Sequence, residues 1–443
     1  MRQTAIFIIS FFFCIQSFAG QVKTISIDSI STFYNEFKTE SEKNIELWNK
    51  DLYGPILLID PKTREIFANE SDANDVLKSD GSVYTGVLPD KINIANTAVD
   101  WNGKRWAMIM LPLPKNKYSR IGLLAHESFH RIQPSLGFEL NNVENNHLDQ
   151  KEGRIYLRLE LEALKKAVQS VSKKELQEHL MNAVTFRKYR HSIYDGSKGS
   201  ENLLELNEGM AEFTGMIVSG RNKTQTAAFL VEGISDFFKN ATFVRSFAYH
   251  TVPVYGYLLY NKDKSWNKKI TEKTDLTDYF SKAFNIKISS DLKSMVIRLT
   301  DHYNGSIIIE EETKREEKNK KLLAEYKSKF IDQPHLEIKF EKMNVSFDPR
   351  NIVPIEDKGT VYPNIRVTDQ WGILTVENGA LMSSNWDKIS ISNPIKIEER
   401  KISGDGWILE LTERYSIEKN EANANFMLVK RKIFRRNKIN HNP

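Results

Sequence analysis

Cysteine is almost absent from this sequence of 443 residues, because Cys14 is its single cysteine. If the first residues are removed, the mature chain has no cysteine, which excludes disulfides, a cysteine nucleophile and cysteine-ligated metal sites. Long apolar runs are also lacking: after the N-terminus no stretch approaches the about 18 apolar residues that a membrane-spanning helix needs. We therefore expect no transmembrane segment in the mature chain.

A strong excess of one charge is missing as well. Lysine and arginine number 63 against 58 aspartates and glutamates, and the resulting net charge of +5 is too small to indicate a nucleic-acid partner. The excess lies near the C-terminus. We interpret residues 431–443 as a basic tail that could make weak contact with the cell envelope, and a merely solvated tail is the alternative.

The N-terminus has the three parts of a secretory signal peptide. Arg2 supplies the positive start, residues 5–15 are apolar, and Ser17 and Ala19 place small residues where a signal peptidase reads them. We expect residues 1–19 to be removed and the chain to be exported, to the periplasm or the medium. An uncleaved anchor and a lipid-modified Cys14 are the alternatives, and the bulky residues before Cys14 disfavour the second.

Turn and strand patterns predict a sheet in the first part of the mature chain, after a polar helix. One hairpin is predicted within residues 54–69. A second lies within residues 92–113, where the dipeptide Asn102-Gly103 favours a tight turn. Prolines that end its second strand suit an edge position, so this strand could either pair with an extended peptide or form an ordinary core strand.

The pattern becomes helical from about residue 120 to about residue 300, with Leu157, Leu161 and Leu164 at helical spacing. We interpret the charged residues of segment 152–162 as a solvated helix face, and the lining of a cleft is the alternative. These charged residues are Glu152, Arg154, Arg158, Glu160 and Glu162.

Short alternating segments return after residue 335. They predict a small antiparallel β domain over residues 335–430, with a boundary near Pro334. Residues 310–329, just before this boundary, are charge-dense and are predicted to form a solvated helix.

Residues 121–130 contain the pattern His-Glu-x-x-His in an apolar context. On a helix, His126 and His130 lie one turn apart on one face, so both imidazoles can reach one metal ion. Glu127 can take a proton from a metal-activated water. The pattern predicts one Zn²⁺ per chain, and two structural histidines on a surface or core helix are the alternative.

A catalytic zinc site usually has three protein ligands, and residues 204–213 are the best candidate for the third. Their Asn207-Glu208-Gly209 resembles the third-ligand helix of the gluzincin metallopeptidases, especially the aminopeptidase branch. The resemblance implies that Glu208 binds zinc and that Glu212 orients a zinc-bound histidine. The interval between the two motifs is longer than in that branch, which indicates an insertion or a distinct subfamily.

The resemblance also implies a side chain that stabilises the oxyanion of the reaction. In the aminopeptidase branch a tyrosine does this within Tyr-x-x-Gly, and residues 249–252 match this segment with Val252 in place of glycine. Tyr249 is therefore the candidate. His250 is the alternative, because thermolysin-like enzymes use a histidine, and ordinary core aromatics remain a third interpretation.

One element of the aminopeptidase branch is missing. Its members carry a glutamate on the strand before the zinc helix that binds the free amine of the substrate, and residues 106–113 contain no acid. This favours an endopeptidase.

Taken together, the expectations are an α+β fold and an exported zinc metallohydrolase that acts on a peptide or protein. Residues 20–334 would form a zincin-like domain, with an N-terminal β-sheet and a helical zinc-bearing part. The alternative is a catalytically inactive, peptidase-like binding or scaffold protein of the cell envelope. The intact Glu127 argues against this alternative, because such a protein needs no base.

Overall fold

The computed structural model describes residues 26–138, 143–348 and 351–431. The predicted signal peptide (residues 1–19) and all but the first residue of the predicted basic tail (residues 431–443) lie outside the described residues. Within them, the α+β class is confirmed: a mixed sheet comes first, a helical region follows, and two further sheets end the chain. No helix in these three ranges is both long and apolar enough to cross a membrane.

The helical region holds most of the α-helices. In chain order the described helices are α1 (Ile27–Lys43), α2 (Lys117–Ile132), α3 (Lys151–Gln169), α4 (Lys173–Ile193), α5 (Ser197–Leu204), α6 (Met210–Val218), α7 (Lys223–Phe237), α8 (Ala248–Tyr260), α9 (Leu276–Ala283), α10 (Leu292–Leu299) and α11 (Gly305–Lys327). Two short π-helical segments, Glu205–Gly209 and Ser328–Asp332, lie between α5 and α6 and after α11.

The strands form three sheets. The first contains β1 (Ile56–Ile59), β2 (Glu65–Ala68), β3 (Lys78–Asp80), β4 (Val83–Val87), β5 (Thr97–Trp101) and β6 (Lys104–Met110). The other two are built from β7 (His335–Lys339), β8 (Asn344–Phe347), β9 (Val353–Ile355), β10 (Gly359–Tyr362), β11 (Ile365–Asp369), β12 (Gly372–Val376), β13 (Ala380–Met382), β14 (Lys388–Ser392), β15 (Pro394–Ile397), β16 (Lys401–Gly404), β17 (Trp407–Leu411), β18 (Tyr415–Lys419) and β19 (Phe426–Lys430).

Both predicted hairpins are confirmed. β1 pairs antiparallel with β2, and β5 pairs antiparallel with β6 across a turn in which Asn102 and Gly103 have φ values of 45° and 78°. β1 is buried on both faces: Leu58 packs towards α1 and α2, whereas Leu57 packs into a separate cluster with Trp106. This explains why its apolar run shows no alternation with polar residues.

The predicted edge position of the second hairpin strand is wrong. The strand order is β3-β4-β2-β1-β6-β5, so β6 lies between β1, to which it is parallel, and β5. Pro112 and Pro114 do not prevent β6 from pairing on both sides, because the strand ends at Met110, before Pro112. Among the described strands, the sheet edge next to β6 therefore belongs to β5, and β6, which is paired on both sides, cannot serve as the peptide-pairing strand.

The helical spacing of leucines in α3 is confirmed, since Leu157, Leu161 and Leu164 are all fully buried. The solvated face predicted for segment 152–162 is wrong, apart from the exposed Glu152. Its other four charged side chains are at most 8% exposed; they are Arg154, Arg158, Glu160 and Glu162.

The burial of these charges follows from partners that lie far away in the sequence. Arg154 and Arg158 both pair with Glu312 of α11, at 2.6 and 2.8 Å. Glu160 accepts from Arg187 and Arg190 of α4, at 2.7 and 2.8 Å. Because a buried charge is tolerated only when it is paired and hydrogen-bonded, these contacts explain the burial. The predicted segment 310–329 is helical as far as Lys327 and is solvated as expected except at the buried Glu312; Gly305 and Ile308, also buried in α11, precede this segment.

The C-terminal sheets share one apolar cluster that includes Ile338 and Ile389 of one sheet and Val367 and Leu374 of the other. The sheet with order β15-β16-β17-β12-β11-β8 is antiparallel throughout. The sheet with order β18-β19-β7-β14-β13-β10-β9 departs from the prediction, because β19 runs parallel to β7. Val244, which precedes α8, also joins this cluster, so the helical region and the β region pack against each other.

Candidate metal centre

Helix α2 positions both histidines of the His-Glu-x-x-His pattern. The helix begins after Asn116, whose side chain accepts a hydrogen bond from the Ser119 amide at 3.1 Å. Its apolar face packs against the first sheet and holds the helix in place. His126 and His130 lie one turn apart, and their Nε2 atoms are 3.2 Å from each other. The predicted convergence of the two imidazoles is therefore present.

Glu208 meets these two nitrogens from the π-helical segment Glu205–Gly209. Its Oε2 lies 3.5 Å from Nε2 of His126 and 3.3 Å from Nε2 of His130. A π-helical turn inserts one extra residue, and such turns are frequent at functional sites. Gly209 permits the close approach of this segment to α8, because a Cβ there would lie 2.6 Å from Val252 Cγ2. The structure therefore contains a group, His126, His130 and Glu208, that could hold a metal ion.

Each imidazole is held by a hydrogen bond at its other nitrogen. Nδ1 of His126 lies 2.9 Å from Oε2 of Glu212, as predicted, and Nδ1 of His130 lies 2.8 Å from Oε1 of Gln133. Such contacts fix the tautomer of a metal-binding histidine and direct Nε2 towards the metal. Both Nε2 atoms thus face the same point, next to the Glu208 carboxylate.

Sequence reasoning missed two residues of this support. Gln133 donates to Oδ1 of Asn207 at 3.1 Å, and Asn207 donates to Oε1 of Glu208 at 3.3 Å. These bonds connect His130 to Glu208 through two amides. The sequence feature that could have indicated Gln133 is its position three residues after His130. Asn207 was noted as part of the Asn-Glu-Gly motif, but no role was predicted for it.

The carboxylate of Glu127 lies beside the histidines and lines the same cavity as His126. Glu127 is 4% exposed, and its Oε2 atom has no hydrogen-bond partner among the described residues. Burial raises the pKa of this carboxyl group, although the nearby His126 and His130 oppose the shift. A buried acceptor without a partner is costly in a native protein, so its position at the cavity suggests a functional role.

The charges of the three candidate ligands depend on one another. Burial disfavours the carboxylate form of Glu208, but His130 and His126 outweigh it and hold the pKa well below the usual range. Burial likewise opposes the charged form of His126, whereas Glu208 and Glu212 raise its pKa well above the usual value. A bound cation would be stabilised by this concentration of negative charge around the two imidazoles.

Tyr249 contacts the group formed by His126, His130 and Glu208, whereas His250 packs elsewhere. The Tyr249 hydroxyl donates to Oε2 of Glu208 at 2.6 Å, and its ring stacks on His126 with the ring centres 5.4 Å apart. The ring of His250 packs instead on Phe237, with the centres 4.5 Å apart, and lines a neighbouring cavity of about 360 Å³. Burial lowers the pKa of His250 to about 4.

A cavity of about 500 Å³ opens beside His126, Glu127 and Tyr249. Met110 of β6 and the loop before β5 form one wall, α2 and α6 form another, and the C-terminal β region supplies a third through Ser346 and Phe347 of β8. The Ser346 hydroxyl donates to the backbone oxygen of Ile94 at 3.2 Å, which keeps β8 next to the first sheet. Three parts of the chain that are distant in sequence thus enclose one cavity.

Comparison of the chain with protein-family models, with curated protein sequences and with solved structures finds no match. The functional argument therefore depends on the geometry of the site itself.

This arrangement offers three separate chemical capacities at one place. It has a group that could hold a cation, a buried carboxylate with an oxygen free to accept a proton, and a phenol hydroxyl that can donate a hydrogen bond. All three border a cavity large enough for a small ligand or a short stretch of peptide. Metal-assisted hydrolysis is one reaction class that uses all three.

Proposed function

We propose that this protein is a zinc-dependent metallohydrolase that cleaves internal peptide bonds. The observation that carries the proposal is the triangle formed by the two Nε2 atoms and Oε2 of Glu208, with sides of 3.2, 3.3 and 3.5 Å. Ligand atoms at about 2.0–2.1 Å from a tetrahedral zinc ion lie about 3.3–3.4 Å apart. Two imidazoles, one carboxylate and an open fourth position are a ligand set of catalytic zinc sites.

In the proposed reaction, His126, His130 and Glu208 would hold a zinc ion, which would acidify a water molecule and polarise the carbonyl of the substrate. Glu127 takes the proton of the attacking water on its unpartnered oxygen and later transfers it to the leaving amine. Tyr249 turns its hydroxyl from Glu208 to the oxyanion that develops on the carbonyl. Tyr249 is favoured over His250 for this role, because only the tyrosine contacts the metal-binding group.

The preference for internal peptide bonds also has a basis in the cavity. Among the described residues, the carboxylates that line it are Glu127 and Glu212. Glu127 is the proposed base, and Glu212 is hydrogen-bonded to His126. Neither is free to bind the amine of a peptide N-terminus. We expect the substrate backbone to join the free edge of β5, where an extended peptide can form main-chain hydrogen bonds. As part of the same proposal, the chain acts after export and removal of residues 1–19, which N-terminal sequencing of the mature protein tests.

The metal is tested by measuring zinc in purified protein by mass spectrometry. We expect close to one zinc per chain, and its loss in His126→Ala and in His130→Ala, because each change leaves two protein ligands. His302→Ala is the control, since this histidine is exposed and distant in sequence from the site. Stoichiometric zinc in both site variants would refute the assignment.

The reaction is tested on a mixed peptide library with free and with blocked N-termini. We expect cleavage in both sets. A strict requirement for a free amine would refute the endopeptidase part and leave the zinc site intact. A folded, zinc-containing protein that cleaves no peptide in the library would favour the inactive binding or scaffold protein instead.

A further inference from the structure

Arg221 stands in the wall of the cavity that contains His126 and Glu127. It lies in the turn between α6 and α7, and its guanidinium group covers the ring of Phe229 at 4.0 Å from the ring centre. One nitrogen, Nη2, donates to the Ser119 hydroxyl at 3.2 Å. The aromatic ring and the hydroxyl hold the cation at the cavity wall.

Most N–H donors of this guanidinium group have no acceptor among the described residues. A guanidinium carries five N–H donors, and in the described part of the chain Ser119 is its only acceptor. Among the same residues it forms no ion pair. Burial lowers the pKa of Arg221, and the charge of Glu212 opposes this shift without reversing it. A half-buried arginine without a carboxylate partner stands in contrast to Arg154 and Arg158, each of which forms an ion pair with Glu312.

The distance of Arg221 from the metal-binding group can be bounded from its contact with Gly122 of α2. A Cβ at Gly122 would lie 4.0 Å from Nη1 of Arg221, and Gly122 precedes His126 by one helical turn. Because Cβ positions one turn apart are separated by about 5–6 Å, the guanidinium lies at most about 10 Å from the Cβ of His126. Three residues of extended peptide cover about the same length.

The cavity around Arg221 strengthens an electrostatic contact there. Phe229 lies against the guanidinium, and Leu123 and Met216 line the same cavity with further apolar surface. Charges attract each other more strongly where water is partly excluded. A carboxylate fits this position best, because its two oxygens match two N–H groups of the guanidinium fork.

We propose that Arg221 binds a carboxylate of the substrate, within about three residues of the cleaved bond. This inference rests on the proposed function, since the carboxylate belongs to the peptide held in the cavity. The acidic side chain of an internal aspartate or glutamate and the free C-terminal carboxylate share this chemistry. Arg221 would then determine specificity, and its loss would change which peptides are chosen.

The first test compares matched peptides. One series carries glutamate or glutamine at each of three positions on either side of the cleaved bond, and a second series carries a C-terminal acid or amide. For the wild-type protein we expect kcat/KM to be about tenfold or more higher for the charged member of one pair, which identifies the source of the carboxylate. Arg221→Gln should bring this ratio close to one, and Arg221→Lys should retain part of it.

Arg400→Gln is the control, because Arg400 pairs with Glu413 at the surface of the C-terminal region and does not line this cavity. It should keep the wild-type ratio. Equal rates for both members of every pair in the wild-type protein would overturn the inference, and so would a preference that persists in Arg221→Gln.

A second measurement separates this inference from the proposed function. Binding of the same peptide pairs to the Glu127→Gln protein is followed by calorimetry, with and without Arg221→Gln in addition. Binding that depends on both the charge and Arg221 supports the inference even if no peptide is cleaved, in which case only the hydrolase proposal fails. Cleavage without any effect of Arg221 on the charge preference refutes the inference and leaves the hydrolase proposal standing.

Discussion

In the proposed reaction, Glu127 is the residue at which metal binding and hydrolysis can be tested separately. Its Oε2 is buried at the cavity without a partner in the described residues, and the carboxylate is not one of the three converging ligand atoms. Glu127→Gln keeps the size of the side chain and all three proposed ligands. We expect zinc content and melting temperature to stay at wild-type values, while peptide turnover falls by about 10²–10⁴-fold, as when a general base is lost.

All three quantities are measured on the same preparation. Turnover that stays at the wild-type rate would show that Glu127 is not the base.

Gln133 and Glu212 hold the far nitrogens of the two histidines, at 2.8 and 2.9 Å. Gln133→Ala or Glu212→Ala should each weaken zinc binding or activity by about 10–100-fold, because the imidazole loses its fixed tautomer and orientation. Zinc affinity is measured by competition with a chelator. Gln225→Ala serves as the control, since that glutamine caps α7 and contacts neither histidine; an equal loss in the control would contradict the assigned role.

At the scale of single residues, the sequence predicted those positions that local spacing determines. Two histidines four residues apart on a helix must share a face, so His126 and His130 could be recognised without the fold. Gln133 and Asn207 could not be identified in the same way, because their contact joins α2 to a segment more than seventy residues later. The placement of His250 against Phe237 also depends on how α7 and α8 pack.

The π-helical segment Glu205–Gly209 carries two glutamates with different environments. Glu208 faces the histidines, whereas Glu205 is buried and accepts from Arg187 at 2.6 Å and from Thr251 at 2.6 Å. Glu208→Ala should strongly weaken zinc binding. Glu205→Ala should instead lower the free energy of unfolding by about 3–5 kcal/mol, because it breaks a buried ion network.

Urea unfolding and zinc titration of both variants check this division. Glu232→Ala, an exposed change on α7, should shift the free energy of unfolding by no more than about 0.5 kcal/mol. Loss of zinc in a fully stable Glu205→Ala protein would mean that the register of this segment is misassigned.

At the scale of helices and strands, the sequence predicted which elements form but not what surrounds them. The periodicity of α3 indicated its buried leucines, yet the same helix carries Arg154 and Glu160 into the core. A charge pattern on one helix contains no information about partners on α4 and α11. The position of β6 inside the first sheet has the same explanation, because the parallel pairing of β1 with β6 joins strands that are far apart in the chain.

On the scale of the whole molecule, the cavity depends on the C-terminal β region. Phe347 of β8 lines the cavity, packs on Tyr362 at 4.7 Å between ring centres and is half-buried. Phe347→Ala should raise KM for peptides several-fold, because it removes part of the wall that holds the substrate. We expect a much smaller effect on kcat, since none of the reacting groups is altered.

Phe340→Ala is the matched control for this prediction. Phe340 is also half-buried at the same apolar cluster but does not line the cavity. Replacing a fully buried phenylalanine by alanine lowers the free energy of unfolding by about 3–5 kcal/mol. Both changes should cost less than this, because both side chains are only half-buried. An equal rise in KM for both variants would show that the effect comes from stability and not from the cavity wall.

The third cavity wall has a consequence for the order of events during synthesis. The candidate metal-binding group and Tyr249 are complete when residue 249 has been made, whereas Ser346 and Phe347 follow about a hundred residues later. At about 5–20 residues per second, this interval lasts about 5–20 s. During that time a growing chain contains all three candidate ligands but lacks part of the surface that is proposed to retain a peptide. In the proposed peptidase, such a delay would protect the unfinished chain, and others like it, from being cut before it has folded.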